Sequence, residues 1–206
     1  FKIAMRDLEI RGAGNLLGAQ QHGHMEAVGY DLYCKMLNEA VKHLKGEMEE
    51  EDYTTTIDLN IDAYIPDTYI SNEYQKLDIY KRIAAIESEE EMEDMVEELI
   101  DRFGDIPKKV EMLLTVAQLK ALAHKVYVTA VEQKGDTYTF AMYERAKVCP
   151  EKIPALLKEF RDDLAFKAEP PTFIYRKKRI NKRDKTESAL EVVKNVLIGI
   201  KGLLGN

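Results

Sequence analysis

The residues best suited to chemistry sit near the start of the chain. Arg6 to His24 reads RDLEIRGAGNLLGAQQHGH, with Gly12, Gly14, Gly18 and Gly23, the pair Gln20 and Gln21, and His22 and His24. Such a set suits a phosphate cradle, a metal site, or a helical hairpin with polar contacts. A P-loop needs GxxxxGK[ST], because its lysine reaches the phosphates and its hydroxyl holds magnesium. Neither Gly12 nor Gly18 is followed by that pair. A dinucleotide fingerprint needs GxGxxG; after Gly12 and Gly14 the third glycine, Gly18, falls one residue late. Close packing and turns describe these glycines better than nucleotide binding. Zinc asks for three or four ligands, whereas His43 and His124 stand apart from His22 and His24 and no cysteine is spaced to help. The histidine pair therefore reads as polar loop residues, with a metal-dependent enzyme built on it a distant third among the functional readings.

Two charge runs come next. RKKRINKRDK, Arg176 to Lys185, carries seven basic residues and one acid. It reads first as a solvated strand end and loop. Its functional reading is a contact with phosphates or an acidic protein surface, carried by Arg176, Lys177, Lys178, Arg179, Lys182 and Arg183. Tyr175 is the one aromatic beside it, so single-strand stacking has little support. Glu87 to Asp101 holds nine acids and no base, and reads as the wet face of an amphipathic helix. Asp58 and Asp62 alternate on one face of an expected strand, but nothing marks them as an acid/base pair. No nucleophile lies beside a base, so the residues alone give no catalytic centre and expect no cofactor bound by this chain.

The elements that must position these groups follow from periodicity. Apolar residues from Met25 to Leu44 recur at helical spacing over about five turns, and Gly46 stops them before an acidic linker, 47–52. Ile57, Leu59, Ile61 and Ala63 alternate with polar neighbours and predict a strand closed by Pro66. A helix starts at Ser71 and runs to about Ile86. Ser88 and Glu91 form a capping box for the next one, whose apolar stripe is Met92, Met95, Val96, Leu99, Ile100 and Phe103, with Gly104 as its cap. A third runs from Lys108 to about His124, its inner face Val110, Leu113, Leu114, Ala117, Ala121 and Leu122. Then come a hairpin turning at Lys134-Gly135-Asp136, a short helix in PEKIPALLKEF, and strands LAFKA and TFIYRK around Pro170-Pro171. A last helix spans Thr186 to Leu204, with Leu190, Val193, Leu197, Ile200 and Leu204 on one side. The layout is α+β: a helical hairpin and long helix first, then a domain with a small antiparallel sheet packed by helices.

Bulk properties narrow the classes. The 206 residues suit one good-sized domain plus an appendage, or two small domains, and the net charge of −7 argues against non-specific nucleic-acid binding by the chain as a whole. Cys34 and Cys149 lie far apart and form no CxxC pair, which speaks against a disulfide framework and for a reducing, cytoplasmic setting. No apolar run reaches the ~18 residues a membrane span needs. The chain opens at Phe1 inside FKIAM, and the expectation is a fragment of a longer protein.

One resemblance is specific. RDLEIRGAGNLLGAQQHGHMEAVGYDLYCKML resembles the segment that follows the last helicase motif in the bacterial transcription-repair coupling factor family, Mfd, and RecG-type helicases share it as the translocation motif. ELIDRFGDIPKKVEMLLTVAQLKALA resembles the start of that family's C-terminal domain. The two stretches, Arg6 to Leu37 and Glu98 to Ala123, cover just under half of residues 1–124. The resemblance implies that 1–46 is the translocation motif and trailing helix at the end of the second helicase lobe, 47–52 a linker, and 53–206 a C-terminal regulatory domain. It implies that an arginine and a glutamine, by motif position Arg11 and Gln21, couple ATP hydrolysis to movement along double-stranded DNA; His22 departs from the small polar residue expected there. The catalytic site, with ATP and magnesium, would belong to parent motor domains rather than to this chain. The implied partners are the N-terminal repair module of the same protein, double-stranded DNA, RNA polymerase and the UvrA damage-recognition protein, with no membrane. The parent would displace stalled RNA polymerase and recruit UvrA, and 53–206 would inhibit it by masking the UvrA-binding module. The alternative is a free-standing DNA-binding module using the basic run.

Overall fold

The computed structural model describes residues 53–178 and 188–204. The expected translocation motif, trailing helix and linker, and residues 179–187 of the basic region, lie outside the described residues. The chain divides into two compact units, one of Phe1–Leu44 and Asp62–Gln118, the other of Lys45–Ile61 and Leu119–Asn206.

The described part of the first unit is helical. Helix α1, Glu73–Ala84, starts two residues later than the expected Ser71, because Asn72 takes the cap and its side chain accepts from the Gln75 amide at 3.0 Å. It buries Leu77, Ile79, Tyr80, Ile83 and Ala84. Burial pushes the Tyr80 phenol well above its ordinary range, and its oxygen accepts from the Ile65 amide at 2.7 Å. Helix α2, Glu89–Phe103, opens on Ser88, whose Oγ accepts from the Glu91 amide at 3.1 Å. The Glu91 carboxylate reaches back to the Glu87 amide at 3.4 Å, one residue before the partner of a standard capping box. The stripe on α2 is narrower than its periodicity suggests: Met95 and Leu99 are buried, while Ile100 is 46% exposed. The acidic run is a wet face, with all its acids exposed except the half-buried Glu98.

Glu98 joins α1 to α2. It accepts both Arg82 guanidinium nitrogens and also Arg102 Nη1 at 2.8 Å. The hydrogen bonds from Arg82 above all hold its carboxyl down to about 2; burial opposes them, and the Arg102 hydrogen bond and the two guanidinium charges add to the lowering. A depressed carboxylate pKa contributes stability that is present above the unfolded value, ~4.3, and is lost as pH falls through the folded one. Both partners are about a third exposed, 40% and 31%, so solvent screening limits the pair to roughly 1 kcal/mol. Glu98→Gln should therefore lower stability by ~0.5–1 kcal/mol at neutral pH and by much less near pH ~2, where the carboxyl is about half protonated. Urea unfolding at the two pH values checks this, and an equal loss at both would reject the ion pair as its cause.

Helix α2 ends at Gly104, whose φ of 89° and ψ of −163° suit glycine alone. The Tyr69 hydroxyl covers that end, within hydrogen-bond reach of the Leu99 and Gly104 carbonyls at 3.1 and 2.9 Å. Helix α3, Lys108–Lys125, runs through the boundary at Gln118. It buries Val116, Leu119 and Ala123 beyond the expected face, while Ala121 and Leu122 are half-buried. A helix that supplies side chains to two units shows no single apolar stripe.

The second unit is built on a five-stranded sheet of order β1-β2-β3-β5-β4. The strands are β1, Thr56–Asp58; β2, Val128–Lys134; β3, Thr137–Met142; β4, Leu164–Lys167; and β5, Thr172–Arg176. The fold is α+β, with β1 parallel to β2 and the other pairings antiparallel. The alternation beginning at Ile57 describes burial but overstates the strand. Asn60 donates its amide to the Gln133 side chain at 2.9 Å instead of extending the ladder. The hairpin turns at Gly135, with φ 59°. Register sets Ile57, Val131, Phe140, Phe173 and Phe166 in one row, and Tyr138, Tyr175 and Leu164 in the next on the same face. Helix α4, Ile153–Glu159, follows a 3-10 turn at Pro150–Lys152 and buries Leu156. Helix α5, Ala189–Lys201, buries Val192, Val193, Val196, Leu197 and Ile200, while Leu190 and Leu204 are half-buried. On the opposite sheet face, Thr56, Asp58, Glu132, Ala165, Lys167 and Arg176 are exposed.

Candidate functional site

Three residues of the basic run are described. Arg176 ends β5 and is exposed, Lys177 is half-buried, and Lys178 is exposed. Asp163 fixes this exit, its carbonyl accepting from the Arg176 amide at 2.8 Å and its carboxylate from the Lys178 amide at 3.0 Å. Thr137 pairs with Lys134 on one side and Arg176 on the other, so both cations stand on the same sheet face. Lys134 was not legible as a partner of the run, because only the register joins them. It is paired to Glu132 at 3.3 Å. This sheet end is thus a mixed-charge surface, able to meet a few phosphates singly and without a built cradle. Arg179, Lys182 and Arg183 lie outside the described residues, as do Arg11, Gln21, His22 and His24. Asp58 is exposed on β1, whereas the Asp62 carboxylate pairs with Lys109 at 2.6 Å. Among the described residues no group of three or more His, Cys, Asp or Glu could hold a metal ion, and no helix is long and apolar enough to cross a membrane.

A second constellation had no sequence signal. The Tyr53 ring lies 4.6 Å from the His124 ring and 4.7 Å from that of Tyr143, and the Arg145 guanidinium stands 5.3 Å over Tyr143. Tyr127, at φ 65°, brings its carbonyl to the Tyr143 amide at 2.7 Å. Thr55, fully buried, sits beneath the stack. Its hydroxyl hydrogen goes to the Val128 carbonyl at 2.7 Å. A hydroxyl has one hydrogen, so towards His124 Nδ1, 2.9 Å away, Thr55 accepts. The His124 ring is therefore protonated at Nδ1. The Tyr53 hydroxyl in turn donates to the His124 carbonyl. The arrangement is a layered anchor at the start of the described chain, and its chemistry is holding rather than bond-making.

Residues 59–153 match the TRCF domain family. The structure resembles the crystal structure of the C-terminal domain of transcription-repair coupling factor, with a TM-score of 0.53 and 28% identity over 73% of this chain and 92% of that one. A transcription-repair-coupling factor of Bacillus subtilis is 43% identical over 98% of this chain, and that of Staphylococcus haemolyticus is 49% identical over 71%. The chain belongs to the transcription-repair-coupling factor family, in its C-terminal part. It spans 17% and 13% of the length of those two relatives.

Proposed function

We propose that this chain is the non-catalytic C-terminal region of an ATP-dependent double-stranded DNA translocase that couples transcription to nucleotide excision repair. In this reading residues 1–46 carry the coupling of hydrolysis to movement through Arg11 and Gln21. Residues 53–206 restrain the parent by masking the module that binds UvrA. ATP and magnesium belong to the parent's motor domains, RNA polymerase and DNA are met through the parent, and the setting is the cytoplasm. The observation that supports this best is the 43% identity over nearly the whole chain with a transcription-repair-coupling factor. The rival, a free-standing DNA-binding module, has against it the acidic partners Glu132 and Asp163 beside its described cations.

The test is the ATPase rate of the longer parent with and without residues 53–206. A closed state favoured by ~1.4 kcal/mol holds about nine molecules in ten restrained, so deletion should raise the rate roughly tenfold. UvrA capture by the deleted protein should rise with it. An unchanged rate with unchanged capture would sink the restraint.

A further inference from the structure

The two faces of the sheet differ. Phe160, at the end of α4, meets the Tyr175 ring edge-on with centroids 6.1 Å apart. Gly199 of α5 lies so close to Leu156 and Phe160 that a Cβ there would stand 2.6 Å from Leu156 Cδ1. Both helices therefore pack on the face of Phe140 and Tyr175. The opposite face is open to solvent at Thr56, Asp58, Glu132, Ala165, Lys167 and Arg176, on four of its five strands. Register puts Ala130, Ala141, Thr139 and Ile174 side by side at its middle, all short except Ile174. On one side Asp58 stands next to Glu132, a like-charge pair that an incoming cation relieves. On the other side are Lys167 and Arg176. Glu132 pairs with Lys134 at 3.3 Å, whereas Asp58, Lys167 and Arg176 enter no ion pair among the described residues.

We propose that this open face is the docking seat for one α-helix of a separate protein partner. The helix is acidic along the flank that meets Lys167 and Arg176, and basic where it meets Asp58. Charge and shape together select this occupant. Glu132 on β2 and Arg176 on β5 stand two strand spacings apart, about 10 Å, which is the width of a helix. Long charged side chains at the sides and short ones between them make a shallow trough, and a convex helix fills it. A second copy of the same face would set trough against trough and leave a hollow over the alanines, so self-pairing packs badly. Single-stranded nucleic acid asks for exposed aromatic rings, whereas Tyr138 and Tyr175 are buried on the other face. Asp58 and Glu132 also repel phosphate. With alanine and threonine at its middle the face is stable in water when bare, which suits a partner that comes and goes.

Photo-cross-linking in the longer parent tests it. The cross-linker enters as Ala165→p-benzoylphenylalanine, exposed beside the trough, with Ala155→p-benzoylphenylalanine, exposed on α4 across the sheet, as the control. The probes are purified RNA polymerase stalled on duplex DNA and purified UvrA, a choice that rests on the proposed function. Position 165 should link to one of the two proteins about tenfold more than position 155 does, and mass spectrometry should place the link on a helix with an acidic flank. Lys167→Glu combined with Arg176→Glu should cut the yield about tenfold, and so should Thr139→Arg, which fills the trough. Lys167→Arg combined with Arg176→Lys should keep the yield, which a disturbed fold would not. A link no stronger than that of position 155 overturns the proposal. So does a link to DNA, to a second copy or to the parent's own chain, or a yield indifferent to the substitutions. If position 165 fails to link while deletion of 53–206 still raises the ATPase rate, the docking seat falls and the regulatory reading stands. If it links while deletion leaves the rate unchanged, the seat stands and the restraint falls.

Discussion

Phe140→Ala should remove ~3–5 kcal/mol from the sheet unit, the usual cost of deleting a buried phenylalanine from a packed core. Phe140 is 0% exposed on β3, a central strand, with Val131 and Phe173 as its register partners, themselves 1% exposed. Neighbours fixed on two paired strands cannot close the space, so the cost of the cavity adds to the lost transfer energy. Phe140→Leu fills most of that space and should cost less than half as much. The chain has no tryptophan, so the unfolding midpoint is read by circular dichroism in urea. Ile198→Ala is the control: Ile198 is 51% exposed on α5, and its removal should stay within ~0.5 kcal/mol. A Phe140→Ala loss as small as that of the control would mean that the sheet face is not a packed core.

Local signals were legible where one residue type answers one backbone demand. Ser88 caps α2, Gly104 ends it, and Gly135 turns the hairpin, all at the positions their chemistry names. The α+β class follows from the switch between helical and strand periods. Long-range pairing was not legible. Alternation from Ile57 to Ala63 marks a buried side, but only the position of β2, some seventy residues on, decides that three residues pair and that they pair in parallel. The breadth of α3 burial has the same origin, since periodicity assumes one face and this helix contributes to two units. The anchor was hidden for a related reason. Tyr53, His124 and Tyr143 carry no spacing signal, and a stack becomes visible only when the fold sets the rings 4.6 and 4.7 Å apart. The basic run was plain in the sequence, yet the register added Lys134 to it and Asp163 against it.

Thr55→Val should destabilise the sheet unit by ~1–3 kcal/mol although it preserves side-chain shape. Thr55 is 0% exposed, and its one hydroxyl serves two groups, the Val128 carbonyl and the His124 Nδ1 hydrogen. Valine leaves the buried Val128 carbonyl without that partner, which costs ~1–3 kcal/mol, and takes the hydroxyl acceptor from the half-buried His124 Nδ1. Thr55→Ser keeps the hydroxyl and loses a methyl, so it should cost only ~1 kcal/mol. The order of the two variants separates polarity from packing, because a packing role would make serine the worse replacement. Nitrogen NMR of the ring gives an independent reading. The unsubstituted protein should show His124 protonated at Nδ1, and the valine variant should lose that fixed preference, since nothing at position 55 then accepts the hydrogen. With serine the preference should return. Valine as stable as threonine, or a ring proton already on Nε2 in the unsubstituted protein, would break the link drawn between Thr55, His124 and the seat on which Tyr53 rests.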